Sequence, residues 1–120
     1  NKLKKMFNEF DEFIDTFETT KGYETGWLAF PFILKGKFFK KRTDLQIKLE
    51  QSNIQTRTIF SGNITRQPVA NKFKWKKVGR LDKSDRIMKT GILIGCHELI
   101  NDNHIDYLYN KLYEFFILSK

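Results

Sequence analysis

Apolar residues recur at three- and four-residue spacing near the start of the chain. Leu3, Met6, Phe7, Phe10, Phe13, Ile14 and Phe17 share one face, with Glu9, Asp11, Glu12, Asp15 and Glu18 opposite. The pattern predicts an amphipathic helix over residues 2–18. Taken as a long connecting helix, it fills 1–21 and is closed by Thr19-Thr20-Lys21-Gly22, the glycine supplying a left-handed conformation. Trp27 to Leu34 predicts a buried strand, and Pro31, lacking a ladder donor, places it at an edge or a bulge. Thr43 with Gln46 fits a capping box for a helix that turns Leu45 and Leu49 inward and ends at Ser52-Asn53. Ile54 to Phe60 alternates like a second strand.

Residues 61–80 show little periodicity. Gly62-Asn63 and Gln67-Pro68 mark turns, predicting a long ordered loop, a feature often functional in compact domains. Asp82 is placed to cap a short helix through Lys89, and Ile92 to Cys96 predicts another strand. Asn101 is placed to cap a last helix with Ile105, Leu108, Leu112, Phe115 and Phe116 inward. This order predicts an α/β (α+β) fold, a short sheet packed against helices.

The chain has 120 residues, enough for one domain with a real core. Its 40% hydrophobic content, with 12 Phe, 4 Tyr and 2 Trp, excludes a disordered tail. Twenty-two basic against 14 acidic residues give +8, which raises a polyanionic partner. The single Cys96 excludes an internal disulfide framework and any multi-cysteine metal site. No apolar run approaches the ~20 residues of a membrane span. A start at Asn1, with no methionine, reads as a piece of something longer.

Two basic runs, 35–42 and 72–80, interleave Phe38, Phe39, Phe73 and Trp75 with lysines. On a nucleic acid the lysines would meet phosphates and the rings would stack on bases. The simpler expectation is a pair of solvated segments whose rings turn inward, since no recognition signature accompanies them. His97 and His104 have no nucleophile or ligand set beside them, and His104 falls in a first helical turn, where it serves as a surface or capping residue. Cys96 reads as a small core residue. Arg57 to Pro68 differs, packing Arg57, Asn63, Thr65, Arg66 and Gln67 around a glycine. Arginine forks suit phosphates, and amides and hydroxyls suit sugar hydroxyls. A loop held by its own turns is the competing reading.

In order, Trp27-Leu28-Ala29-Phe30-Pro31, the Arg57–Pro68 segment, Asp85-Arg86-Ile87-Met88 with Ile94-Gly95, and Ile105-Asp106-Tyr107 resemble one family. It is the C-terminal part of the pyridoxal-phosphate-dependent sugar aminotransferases and dehydratases, the DegT/DnrJ/EryC1/StrS group. FxGNxTRQP followed by DRIM is most similar to the nucleotide-sugar 3-dehydratases, which act on CDP- or GDP-4-keto-6-deoxyhexoses in lipopolysaccharide and deoxysugar biosynthesis. The resemblance implies the small C-terminal domain of the aspartate-aminotransferase fold over 22–120. The large domain, with the coenzyme site and the catalytic His or Lys base, would lie outside this chain.

No catalytic residue and no metal ligand is therefore assigned here. Pyridoxal or pyridoxamine phosphate belongs to the full-length enzyme, with none bound by this piece alone. The resemblance assigns substrate contacts to Trp27, Leu28, Phe30, Arg57, Asn63, Thr65, Arg66, Gln67 and Arg86. It further implies a homodimeric cytoplasmic enzyme with no nucleic-acid or membrane partner. A 4-keto-sugar aminotransferase and an independent basic nucleic-acid-binding module remain the alternatives. The choice of nucleotide and the presence of an iron–sulfur cluster stay open.

Overall fold

A computed structural model of the chain describes residues 2–118. Its regular elements are α1 (Lys2–Asn8), β1 (Ile14–Thr16), β2 (Ala29–Leu34), α2 (Arg42–Gln51), β3 (Thr56–Thr58), α3 (Asp82–Thr90), β4 (Gly91–Gly95) and α4 (Asp102–Tyr113). The four strands form one antiparallel sheet in the order β1-β2-β4-β3. The α+β expectation is met.

The first helix is far shorter than its stripe predicts. It ends at Asn8, and the expected connecting helix over 1–21 becomes a turn followed by strand β1. Tight bonds from Glu9 N to Met6 O (3.1 Å) and from Phe10 N to Phe7 O (3.0 Å) close the helix. Ile14, Asp15 and Thr16 then pair with Leu34, Ile33 and Phe32. Phe10, Phe13 and Ile14 are still buried, so the stripe marks burial correctly while the backbone serves it with a turn and a strand. Gly22 does take a positive φ of 88°, within an irregular stretch that follows strand β1 rather than a helix.

β2 is flanked on both sides, yet β1 reaches only to Phe32. At Pro31 the strand therefore has β4 alone as a neighbour, a local edge that tolerates the missing donor. β3 covers three residues instead of the seven expected. Thr58 pairs with Ile92, and β4 begins one residue earlier at Gly91, directly after α3, leaving β3 little more to pair with. α2 starts at Arg42 with Lys41 as its cap, without a side-chain bond, so the Thr43–Gln46 box does not form. Gln46 instead donates to Thr56 Oγ1 at 3.3 Å. Asp82 is the first residue of α3, not its cap. Asn101 and His104 do make a reciprocal capping box on α4, worth about 1 kcal/mol.

The core lies where α1 and α4 meet the sheet. Phe7 stacks on Phe30 (5.0 Å) and packs on Phe32 (4.8 Å), and Phe116 contacts Phe10, Phe13 and Phe38. α3 packs on β2 and β4 but contributes nothing to this cluster. That leaves its polar side chains for other work.

Candidate functional site

Leaving β3, the chain turns back through two short 3-10 turns, Ile64–Arg66 and Pro68–Lys72. Gly62 makes the approach to α3 possible. Its φ is +66°, and a Cβ there would sit 2.5 Å from Met88 Cβ and Cγ, so only glycine fits. Asn63, buried, then caps the first turn, its Oδ1 accepting from Thr65 N (3.1 Å) and Thr65 Oγ1 (2.7 Å). Its amide nitrogen donates to Asp85 Oδ1 at 2.6 Å. Arg66 grips the same carboxylate with a fork, Nε to Oδ1 at 2.5 Å and Nη2 to Oδ2 at 2.6 Å. Gln67 ties the loop to itself by donating to the Ser61 carbonyl at 2.9 Å.

Asp85 is thus the hub. Arg66 first and Asn63 second hold its carboxyl well below the usual carboxylate range, and Asp85 in turn raises Arg66. The neighbouring Arg86 points the other way and binds Asp15 on β1 at 2.6 Å, where Lys35 also donates at 2.8 Å. Two consecutive residues of α3 therefore clamp both edges of the sheet, the edge strand β1 and the chain that leaves edge strand β3.

Between this loop, Met88 and the start of α2 lies an open cleft of about 570 Å³. Phe60, Ile64 and Val69 supply apolar wall, and Gln67 and Arg42 supply polar groups. Arg42 escaped the sequence reading, where it was merely the end of a basic run. Its Nη1 donates to the Met88 carbonyl, and its Nε is buried with no hydrogen-bond partner among the described residues. Positive charge alone carried no signal for that position.

The nine residues assigned from resemblance do not converge. Asn63, Thr65, Arg66 and Gln67 form one locked loop, of which only Gln67 lines the cleft. Arg57 is exposed on β3, donating to the Thr56 carbonyl, and Arg86 is engaged with Asp15. Trp27 and Leu28 lie by the Gly95 end of β4, whereas the loop follows the Ile92 end, roughly 10 Å away at ~3.3 Å per residue. Leu28 is 98% exposed. Phe30, at 3% exposure, packs under Phe7 in the core. Trp27 is half-buried near Phe30, and its carbonyl accepts from Cys96 Sγ at 3.1 Å.

Among the described residues no group of three or more His, Cys, Asp or Glu could hold a metal. Nor does the 61–69 loop make a cradle for pyridoxal phosphate. The loop's directional donors are spent on Asp85, on Ser61 and on one another. His104 is the capping residue expected, its Nδ1 accepting from Asn101 N at 3.2 Å.

Comparison with known proteins places this geometry. Residues 1–113 match the family model described as the DegT/DnrJ/EryC1/StrS aminotransferase family. The chain is 35% identical over 117 residues to the lipopolysaccharide biosynthesis protein RfbH of Salmonella typhimurium, covering 98% of this chain and 27% of that protein. It is 29% identical to a GDP-4-keto-6-deoxy-D-mannose 3-dehydratase of Yersinia pseudotuberculosis, over 92% of this chain and 28% of that one. Among solved structures it superposes on the E. coli GDP-4-keto-6-deoxy-D-mannose-3-dehydratase with bound hydrated PLP. The TM-score is 0.76 at 26% identity, over 91% of this chain and 28% of that one. The chain spans little more than a quarter of the length of these relatives.

Proposed function

The chain belongs to the DegT/DnrJ/EryC1/StrS aminotransferase family, and from that premise we propose that it is the small C-terminal domain of a nucleotide-sugar 3-dehydratase. The observation that carries the reading is the bond between its two signature segments. GNITRQP and DRIM, far apart in sequence, meet through Asn63, Arg66 and Asp85, so the dehydratase-like residues form one working unit. Likeness to proteins named as 3-dehydratases, over more than nine tenths of this chain, supports the same choice.

The proposed reaction is loss of the C3 hydroxyl from a nucleotide-linked 4-keto-6-deoxyhexose. In the full-length enzyme pyridoxal or pyridoxamine phosphate would supply the electron sink, and a base outside this chain would move the proton. This chain's share is to bind and to wall. The Asp85 lock holds the 61–69 loop rigid, which keeps Gln67 and the apolar wall of the cleft in place beside Arg42. Arg66 is a positioning residue here, spent on Asp85 rather than on substrate. The full-length protein is proposed as a homodimer acting in the cytoplasm.

The test uses the longest polypeptide encoded around this sequence, assayed with pyridoxamine phosphate and GDP-, CDP- and dTDP-linked 4-keto-6-deoxyhexoses. A 3-deoxy product is expected. A 4-amino sugar product would convert the proposal to an aminotransferase, and turnover by the 120-residue chain alone would overturn it.

A further inference from the structure

The net charge is not spread over the molecule. Residues 51–81 contain seven of the 22 basic residues and none of the 14 acidic ones, so about a quarter of the chain carries +7 of the +8. Three of the seven are partly answered. Arg66 is bound to Asp85, Arg80 pairs with Asp82 at 2.8 Å, and Arg57 adds to the lowering of the Glu50 carboxyl that the bonds from Thr56 chiefly cause. The other four, Lys72, Lys74, Lys76 and Lys77, are exposed and make no ion pair among the described residues.

The rings among them face outward too. Phe73 is 63% exposed, Trp75 50% and Val78 77%. Trp75 donates its indole N–H to the Ala70 carbonyl at 2.6 Å, which anchors the ring and leaves no donor to be satisfied by a partner. Phe73 meets it edge to face, with centroids 6.1 Å apart.

We propose that segment 72–80 is a docking surface for an anionic lipid bilayer, with Phe73, Trp75 and Val78 entering the interface and the four free lysines over the headgroups. Charge complementarity selects a polyanion, and the apolar groups select lipid over nucleic acid. Val78 gains by leaving water but offers nothing to a stacked base. The two rings stand at 79° to each other, so they do not form parallel platforms for successive bases. No helix among the described residues is long and apolar enough to cross a membrane, so the contact is peripheral. This inference does not depend on the proposed dehydratase activity.

The experiment is vesicle co-sedimentation of the chain with mixed phosphatidylglycerol–phosphatidylcholine vesicles and with phosphatidylcholine alone. Binding to the anionic vesicles is expected, weakening with salt and accompanied by a blue shift of Trp75 emission. At about fivefold per lysine, K72Q/K74Q/K76Q should lower the partition coefficient about a hundredfold. The same number of changes elsewhere, Lys5→Gln, Lys21→Gln and Lys40→Gln, should lower it far less. Trp75→Ser with Phe73→Ser should weaken binding further without altering the circular dichroism spectrum. Equal binding to neutral vesicles, equal effects of the two lysine triplets, or tighter binding to a single-stranded oligonucleotide would each overturn the proposal. So would loss of vesicle binding in the longest polypeptide encoded around this sequence, because the segment would then be covered by protein.

Discussion

Residues 35–42 and 72–80 have nearly the same composition, lysines alternating with aromatic residues, and opposite fates. In the first, Phe38 is 8% exposed, set edge-on to Phe116 at 4.8 Å and to Phe13 at 5.2 Å. Three of its four lysines have work: Lys35 pairs with Asp15, Lys41 with Asp44, and Lys37 lies over the Phe13 and Phe38 rings. In the second, the rings are at least half exposed and four lysines are free. The difference teaches that a basic-aromatic run has no fate of its own. The first lies between β2 and α2, where the core offers its rings a socket, while the second follows a loop already held on α3 by Asp85.

The sharpest way to break this contrast is limited proteolysis. The first tryptic cut is expected between Lys72 and Arg80, identified by mass spectrometry, because exposed irregular segments are cleaved first. A first cut within 35–42 would reverse the comparison. Phe38→Ala should cost about 3–5 kcal/mol in chemical denaturation, whereas Phe73→Ala should stay within about 0.5 kcal/mol.

Next in size is the lock that separates the two runs. Asp85→Asn removes the charge that Arg66 grips and should speed amide exchange across 61–69, leaving 35–42 as protected as before. Hydrogen-exchange mass spectrometry reads both regions at once. Unchanged exchange at 61–69 would show that the loop holds without its hub.

Acid should then act on the first run alone. Lys35, and after it Arg86, lowers the Asp15 carboxyl from its ordinary 3.8, against partial burial. A depressed carboxylate stabilises the fold above its unfolded value and loses that contribution as pH falls through its folded value. Protection around 35–42 is therefore expected to persist above about pH 4 and to fall below it, while 72–77, whose lysines have no carboxylate partner among the described residues, shows no such step. The smallest expected effect is Lys37→Met, about 0.5–1 kcal/mol through lost cation–π contact, against no measurable change for Lys74→Met.

Legibility followed locality. Leu45 and Leu49 on α2, the apolar run of β4 and the Asn101 cap of α4 were readable because each signal spans a few residues. The 2–18 stripe was readable only as burial, since a turn and a strand present Phe10, Phe13 and Ile14 to the core as well as a helix does. At the candidate site, Asn63, Thr65, Arg66 and Gln67 stood out as a polar cluster, but their partner did not. Asp85 lies 19 residues beyond Arg66, and no periodicity links a loop arginine to one helix carboxylate. Arg42 was hidden for the same reason, its cleft being assembled from α2, the loop and Met88.

By itself the sequence determined the class of fold, the family and the places where apolar surface must be buried, because side-chain chemistry and short-range spacing are properties of the chain alone. Only the tertiary structure decided that Ile14–Thr16 pairs with β2, that Arg66 is spent on Asp85, and that Phe38 is buried while Phe73 and Trp75 are not. Those outcomes depend on which surfaces meet. A ring goes inward only where a socket exists, and an arginine binds a ligand only where no carboxylate of its own chain arrives first.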